Sequence, residues 1–322
     1  MGKRAVRKRL VGVAGLLVVL AVVLAGCADD ASAPPRGIVI GSSEQPAMRV
    51  MAEVYAGALR NAGSVVSDDQ LRGDPQTLLG EMDRTALDLF PAFTGELLTL
   101  LAPSSTAVGA EDVYKDVNRS LPQGVSVGDE TPVSAAPQIF VSTTLAGDAE
   151  ATDLDDCTRL PAGLPVIAVS RPDAATMRAF ADAGCRFGPV ELVATSDEVL
   201  GRTAAGTAVG MLTPLDIAGE DADGASSEVQ ALRNSAGGGD TADNPPAGAP
   251  PSTSVAAPAS GPRAEVLVPV FRSAAFGRDQ VKTMNKVAGE ITTADLATMA
   301  ARVEAGADPR DVALAWLGEH GL

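Results

Sequence analysis

The first periodic pattern in the chain is a short apolar run, Ile38-Val39-Ile40, set between Gly37 and Gly41, which predicts a buried strand. Over residues 47–61, Val50, Met51, Val54, Tyr55, Ala58 and Leu59 recur at three- and four-residue spacing, the period of a helix with one buried face. Gly63 supplies its stop. A second helix is predicted over 77–82, a strand over 86–90 ending at Pro91, and further helices over 95–101 and 110–118. Strands follow over 138–143, 165–170 and 207–212, with a helix over 173–184 opened by Pro172-Asp173 and closed by Gly184. Residues 266–271 read as one more strand. Two helices end the chain: Thr292 to Asp295 has the form of a capping box, and Asp308-Pro309-Arg310-Asp311 combines a capping Asp, a first-turn Pro and a first-turn acid. Val312, Ala315 and Trp316 form an apolar stripe, so Trp316 is assigned to the core. Strand and helix alternate, which predicts an α/β fold with a largely parallel sheet covered by helices.

The pattern fails over residues 221–262, where Gly237-Gly238-Gly239, Pro245-Pro246 and Pro250-Pro251 stand among Ala, Ser, Thr and Asp. Such a stretch buries too little apolar surface to offset its chain entropy, and it is predicted as a disordered insertion. Residues 28–36 have the same character and read as a tether. Before them, Lys3, Arg4, Arg7, Lys8 and Arg9 precede an apolar run from Leu10 to Leu24, and Leu24-Ala25-Gly26-Cys27 follows. The run is short for a membrane span and has the shape of an export signal. Small residues before Cys27 resemble a lipobox, in which the Cys becomes the lipidated (palmitate-bearing) first residue. The alternative is an ordinary anchor with an unrelated Cys. On either reading the body lies on the extracytoplasmic face of the cell membrane.

Charge and composition then narrow the function. The net charge is −16, and without the leader 20 basic residues face 41 acidic ones, which disfavours nucleic acid as a partner. In an oxidising compartment the remaining pair, Cys157 and Cys185, reads as one disulfide, with two buried free thiols as the alternative. His320 is the only histidine and lies two residues from the end, so a Cys/His zinc site and Ser-His or Cys-His catalysis lack their parts. No Gly-x-Ser-x-Gly elbow or Gly-Lys-Ser/Thr phosphate loop is present. Asp68-Asp69 and Asp155-Asp156 lie in polar turns and read as solvated surface. No enzyme, metal or cofactor is expected.

Several stretches resemble the glycine betaine/choline-type (osmoprotectant) substrate-binding proteins of ABC importers. Gly41-Ser42 with Ala52-Glu53-Val54-Tyr55 resembles that family's first βα unit. Gly73 through Pro91, then Phe93-Thr94-Gly95, resembles its next block. Val287-Ala288-Gly289, Ile291 to Leu296, and Asp308-Pro309 with Trp316-Leu317 and Glu319-His320-Gly321-Leu322 resemble its C-terminal part. The resemblance covers 37 to about 120 and 263–322, and the middle only in outline. It implies a type II, two-lobed periplasmic-binding-protein-like fold with two crossing hinge segments, lobe closure on a solute, and an ABC permease as partner. Lobe one is then expected at 37–133 plus 263–322 and lobe two at 137–220.

Ligands of that family carry a quaternary ammonium held against aromatic faces. Here the sequence departs: the turn aromatic is Phe93 rather than Tyr, the second Thr of the turn is Glu96, and only 3% of residues are aromatic. A cleft lined by Phe93 and Phe140 is expected, with Ser42, Ser43, Glu44, Gln45, Thr94, Gln138, Thr213 and Asp216 as polar groups. The solute is a betaine- or choline-like compound or a different, less cationic polar molecule. The competing expectation keeps the fold but not the binding: an envelope interaction or regulatory lipoprotein.

Overall fold

The computed structural model describes residues 36–217, 228–234 and 260–322. The leader with Cys27, all of the tether but Arg36, and residues 221–227 and 235–259 of the insertion lie outside the described residues. The chain from Ile38 onward begins with β1 (Ile38–Ser42), α1 (Pro46–Asn61), β2 (Val66–Arg72), α2 (Pro75–Asp83), β3 (Leu89–Phe93), α3 (Thr94–Leu101), α4 (Ala110–Ser120) and β4 (Val125–Val127). It then crosses to β5 (Gln138–Ser142), α5 (Thr143–Ala149), a 3₁₀ turn (Leu154–Arg159), β6 (Val166–Ala168), α6 (Ala174–Asp182), β7 (Val190–Leu192), α7 (Ser196–Ala204), β8 (Val209–Leu212), α8 (Pro214–Ile217) and β9 (Val229–Ala231). It returns as β10 (Leu267–Arg272) and ends in α9 (Arg278–Glu290), α10 (Thr293–Glu304) and α11 (Pro309–His320).

Two five-stranded sheets result, ordered β2-β1-β3-β10-β4 and β7-β6-β8-β5-β9. The expectation of a largely parallel sheet needs correcting, because both sheets are mixed: β10 runs antiparallel to β3 and β4, and β5 antiparallel to β8 and β9. Both exceptions follow a crossing, so each enters its sheet from the edge toward which the parallel strands run. A second correction falls within 221–262. Residues 229–231 form β9 on the edge of the second sheet, and Leu232 is fully buried. Val229 and Leu232 supply the apolar anchors that the surrounding composition lacks.

Pro91 does not end its strand, as expected from sequence, but lies inside β3, opposite Pro269 of β10. In that register Val268–Ala92 and Val270–Phe90 are the hydrogen-bonded pairs, and the two prolines face each other where the ladder needs no N–H. On its other side β3 pairs with β1 only at Leu89.

The first half packs helices on both faces of its sheet. Along α1, eleven residues from Ala47 to Leu59 are buried, against the sheet and against α9, α10 and α11. A Cβ at Gly57 would lie 2.4 Å from the Leu317 side chain, so glycine is what permits the close approach of α1 and α11. Trp316 is buried in this cluster, as its stripe predicts, and its ring stacks on His320. The Asp88 carboxylate ties three strands: it accepts from the Val39 amide of β1 and from Nε and Nη2 of Arg272 in β10. The second half is smaller. Its strands are three to five residues long, and a disulfide joins Cys157 of the 3₁₀ turn to Cys185 beyond α6.

Candidate functional site

The strand directions define one edge on each sheet. β1, β2 and β3 run parallel and end at Ser42, Arg72 and Phe93, and β10 begins beside them, Leu267 opposite Phe93. In the second sheet β6 and β8 end at Ala168 and Leu212, and β5 begins at Gln138, opposite Leu212. The chain passes between these edges twice, at 133–137 and 263–266. The two crossings are held side by side: Ser134 bridges Val266 antiparallel, and the Ala135 amide donates to the Glu265 carbonyl at 2.9 Å. Open α/β sheets bind ligands at the carboxyl ends of their strands, and here two such edges meet at one hinge.

The return crossing is fastened to the first half. Arg263 donates to the carbonyls of Ala107 and Ser105 and to the Thr99 hydroxyl. The Glu265 carboxylate accepts from the Glu96 amide at 3.0 Å and covers the first turn of α3. A Cβ on Gly95 would lie 2.5 Å from that carboxylate, so this close approach requires glycine. Burial pushes the Glu265 carboxyl up to about 7, partly offset by the Glu96 and Gly95 amides.

The expected site residues separate into groups. Ser42 is buried, and its hydroxyl accepts from Arg72 Nη1 at 2.9 Å. Ser43 Oγ is buried without a hydrogen-bond partner among the described residues. Glu44 and Gln45 are exposed, and Gln45 precedes α1 without capping it through its side chain. Phe93 is buried at the strand end, and Thr94 is fully buried. The Thr94 hydroxyl accepts from the Val266 amide, a bond that fastens the return crossing to β3. On the second half, Gln138 is half-buried at the edge, and the Thr213 amide and hydroxyl both donate to Asp216. That pairing opens α8, whose Leu215 packs on the first-half cluster beside α10. Phe140 is not brought to the edge. It lies two residues inside β5 and packs among Ile167, Val199 and Leu212 in the core of the second half.

Every aromatic side chain, the seven Phe, two Tyr and one Trp, belongs to one of four apolar clusters. Sequence reasoning missed Arg49, Arg72 and Glu265. The signal for Arg49 was a basic residue in a first helical turn that holds no acid. Arg72 ends β2, whose sequence Val-Ser-Asp-Asp-Gln-Leu-Arg has no apolar alternation to reveal a strand. A groove of about 580 Å³ lined by Leu79, Met82, Leu101, Pro122 and Arg272 lies at the opposite end of the first sheet, where β4 begins and β10 ends, and is no part of this edge. Among the described residues no cluster of His, Cys, Asp and Glu is arranged to hold a metal, and no helix is long and apolar enough to cross a membrane.

Two α/β lobes, two antiparallel crossings and a polar edge on each lobe define the architecture of type II periplasmic-binding-protein-like folds. Solved structures share it. The apo form of YehZ from Escherichia coli superposes with a TM-score of 0.59 at 17% identity, covering 88% of this chain and 99% of that one. A glycine betaine/carnitine/choline ABC transporter structure superposes with a TM-score of 0.63 at 11% identity, covering 88% and 98%. No protein-family model and no curated protein sequence matches the chain.

Proposed function

We propose that the chain is the extracytoplasmic solute-binding lipoprotein of an ABC importer, taking one small polar or quaternary-ammonium compound between its lobes and presenting the closed form to a membrane permease. The observation that carries this is the meeting of two strand-end edges at a double crossing, with Ser42, Ser43, Gln138, Thr213 and Asp216 on their rims. Lipid attachment at Cys27 belongs to the same proposal, and replacing Cys27 by Ala should release the protein from the membrane fraction. Binding is tested by equilibrium dialysis against betaines, choline, amino acids and small carboxylates, with small-angle scattering on the same samples. One compound should saturate a single site and reduce the radius of gyration. Binding of none of them, with an unchanged radius throughout, removes the receptor reading.

One observation favours a second reading. Eight of the ten aromatic side chains are buried in cores and Tyr114 and Phe187 are half-buried against them, an arrangement that offers a quaternary ammonium few free aromatic faces. A protein that kept the fold and lost the ligand would act as an envelope interaction module. Capture of a permease that does not depend on any solute would support that reading.

A further inference from the structure

Each crossing passes from one lobe to the other within a very short step. Up to Ala135 the first crossing is bound to the first lobe: the Leu267 amide donates to the Val133 carbonyl at 3.1 Å, and the Ala135 amide donates to the Glu265 carbonyl at 2.9 Å. From Gln138 onward the chain is β5, paired with Leu212 of the second lobe. Only Ala136 and Pro137 lie between. On the return, Ser260 Oγ donates to Asp155 Oδ1 at 2.6 Å, and a Cβ at Gly261 would lie 2.5 Å from the Leu154 side chain, so both residues sit on the second lobe. Arg263 and Ala264 are fastened to the first lobe through the carbonyls of Ser105, Ala107 and Val108. Only Pro262 lies between, after Gly261 at φ +104. Proline has no amide hydrogen, so neither Pro137 nor Pro262 donates a bond that would hold the lobe angle.

α8 is a further link between the lobes. It leaves the end of β8 in the second lobe and lies against α10 of the first. Its two apolar side chains are divided between the lobes. Leu215 packs on the first-lobe cluster that includes Leu296, Met299 and Val303 of α10. Ile217 packs on the second-lobe cluster of Phe140, Val199 and Leu212. Asp216 accepts from the Thr213 amide at 2.7 Å and from its hydroxyl at 2.9 Å, which fixes this single turn to the end of β8. α10 is itself tied to the first crossing: Thr293 Oγ1 donates to the Pro132 carbonyl at 3.3 Å and accepts from the Ser134 amide at 3.4 Å. A rotation about the two proline steps leaves each lobe's interior intact, but it must slide or withdraw Leu215 from its seat. The apolar contact at Leu215 therefore weights one lobe angle over others.

We propose that Leu215 is a positioning residue: carried by α8, it is a strut that selects the lobe angle about the Ala136–Pro137 and Gly261–Pro262 steps, and Thr213 and Asp216 hold the strut in place. This goes beyond the solute-receptor reading and does not depend on it.

The test measures the lobe angle with no solute present. In the full chain carrying Cys27→Ala, nitroxides are placed through Lys115→Cys on α4 and Asp197→Cys on α7, both exposed, and Cys157 and Cys185 stay unlabelled in their disulfide. Pulsed electron resonance then reads the distance distribution between the lobes. Leu215→Ala should displace or broaden that distribution by about 3 Å or more. Leu215→Met, which keeps the apolar contact, should hold the parental distribution. Leu314→Ala, on α11 and 45% exposed, should also leave it unchanged. A smaller displacement for Leu215→Ala, or none, overturns the strut, and so does an equal displacement for Leu314→Ala. A lower melting temperature with unchanged distances makes Leu215 ordinary packing and overturns it as well. Should Leu215→Ala fail to fold, Leu215→Gln keeps the length, removes the apolar contact and is judged by the same displacement. Because the readout needs no ligand, failure of the strut leaves the solute-receptor reading standing, and failure of that reading leaves the strut.

Discussion

In the first half, α1 is enclosed along almost its whole length by the sheet and by α9, α10 and α11; in the second, three strands have three residues each and β7 leaves Leu192 about half exposed. All three C-terminal helices serve the first half. Its stability therefore rests on apolar burial and on the buried Asp88–Arg272 pair that links β3 to β10. The second half has less apolar surface to bury and adds a covalent link between its 3₁₀ turn and the end of α6. Similar topologies thus depend on different interactions.

The largest way to break this comparison is Asp88→Ala. It leaves Arg272 facing a buried site with no counter-charge and removes the acceptor of the Val39 amide. The expected loss is about 4 kcal/mol. Hydrogen exchange read by peptide should show it in β1, β3 and β10, with β5, β6 and β8 keeping their protection. Equal loss in both sheets would mean the halves unfold together, and the contrast would fail.

Next in size is the paired substitution of Cys157 and Cys185 by Ser. The closed loop spans 28 residues, for which chain entropy gives about 3.5 kcal/mol. Protection should fall in β6, β8 and α6 while the amides of α1 stay slow. Unchanged exchange in the second half would show that its short strands need no covalent help.

The parts of the fold legible in sequence are those whose local signals agree with their packing. α1 has helical period and a glycine stop, with Gly63 at φ +85. Thr292 accepts from the Asp295 amide and Asp308 from the Arg310 amide, as their caps predict. β2, β7 and β9 were illegible: β2 and β7 carry polar residues on an exposed edge, and β9 holds its place through Val229 and the neighbouring Leu232. The same distinction holds at the site. Ser42 to Gln45 follow a recognisable strand and precede a recognisable helix, so their place at a strand end could be read. Arg72 belongs to an unrecognised strand, and its place beside Ser42 is a matter of register between β1 and β2. Gln138 and Phe140 share one face of β5, and only the tertiary packing determines that this face meets Val199 of α7 at Phe140.

A third prediction concerns the hinge that separates the halves. Glu265 lies in the return crossing with its carboxyl raised from about 4.5 to about 7 by burial. A raised carboxyl favours the protonated folded state, so its contribution is full below the unfolded pKa and is lost as pH climbs through about 7. Glu265→Gln keeps a carbonyl acceptor for the Glu96 amide and removes the titration. The variant should gain on the parent by about 2 kcal/mol between pH 5 and pH 8. Thermal melts at the two pH values check it, and parallel pH profiles would remove Glu265 from the hinge's acid response.

The smallest effect compares two caps of the same kind in different surroundings. Asp173 accepts from the Ala175 and Thr176 amides at the start of α6, and Asp308 accepts from the Arg310 amide at the start of α11. Either Asp→Ala substitution should cost about 1 kcal/mol in global stability. Local behaviour should differ. α11 buries Val312, Ala313, Trp316 and Leu317, so its backbone stays protected when the cap is gone. α6 buries Phe180 alone, so Asp173→Ala should let its first turn fray, seen as faster exchange at Thr176, Met177 and Arg178. Because hydrogen bonds from Thr176 and Ala175 outweigh burial and keep the Asp173 carboxyl below its usual value, its capping contribution is present above the unfolded pKa and fades as pH falls below the carboxylate range. Fraying of α11 to the same extent as α6 would show that burial along the helix does not distinguish the halves.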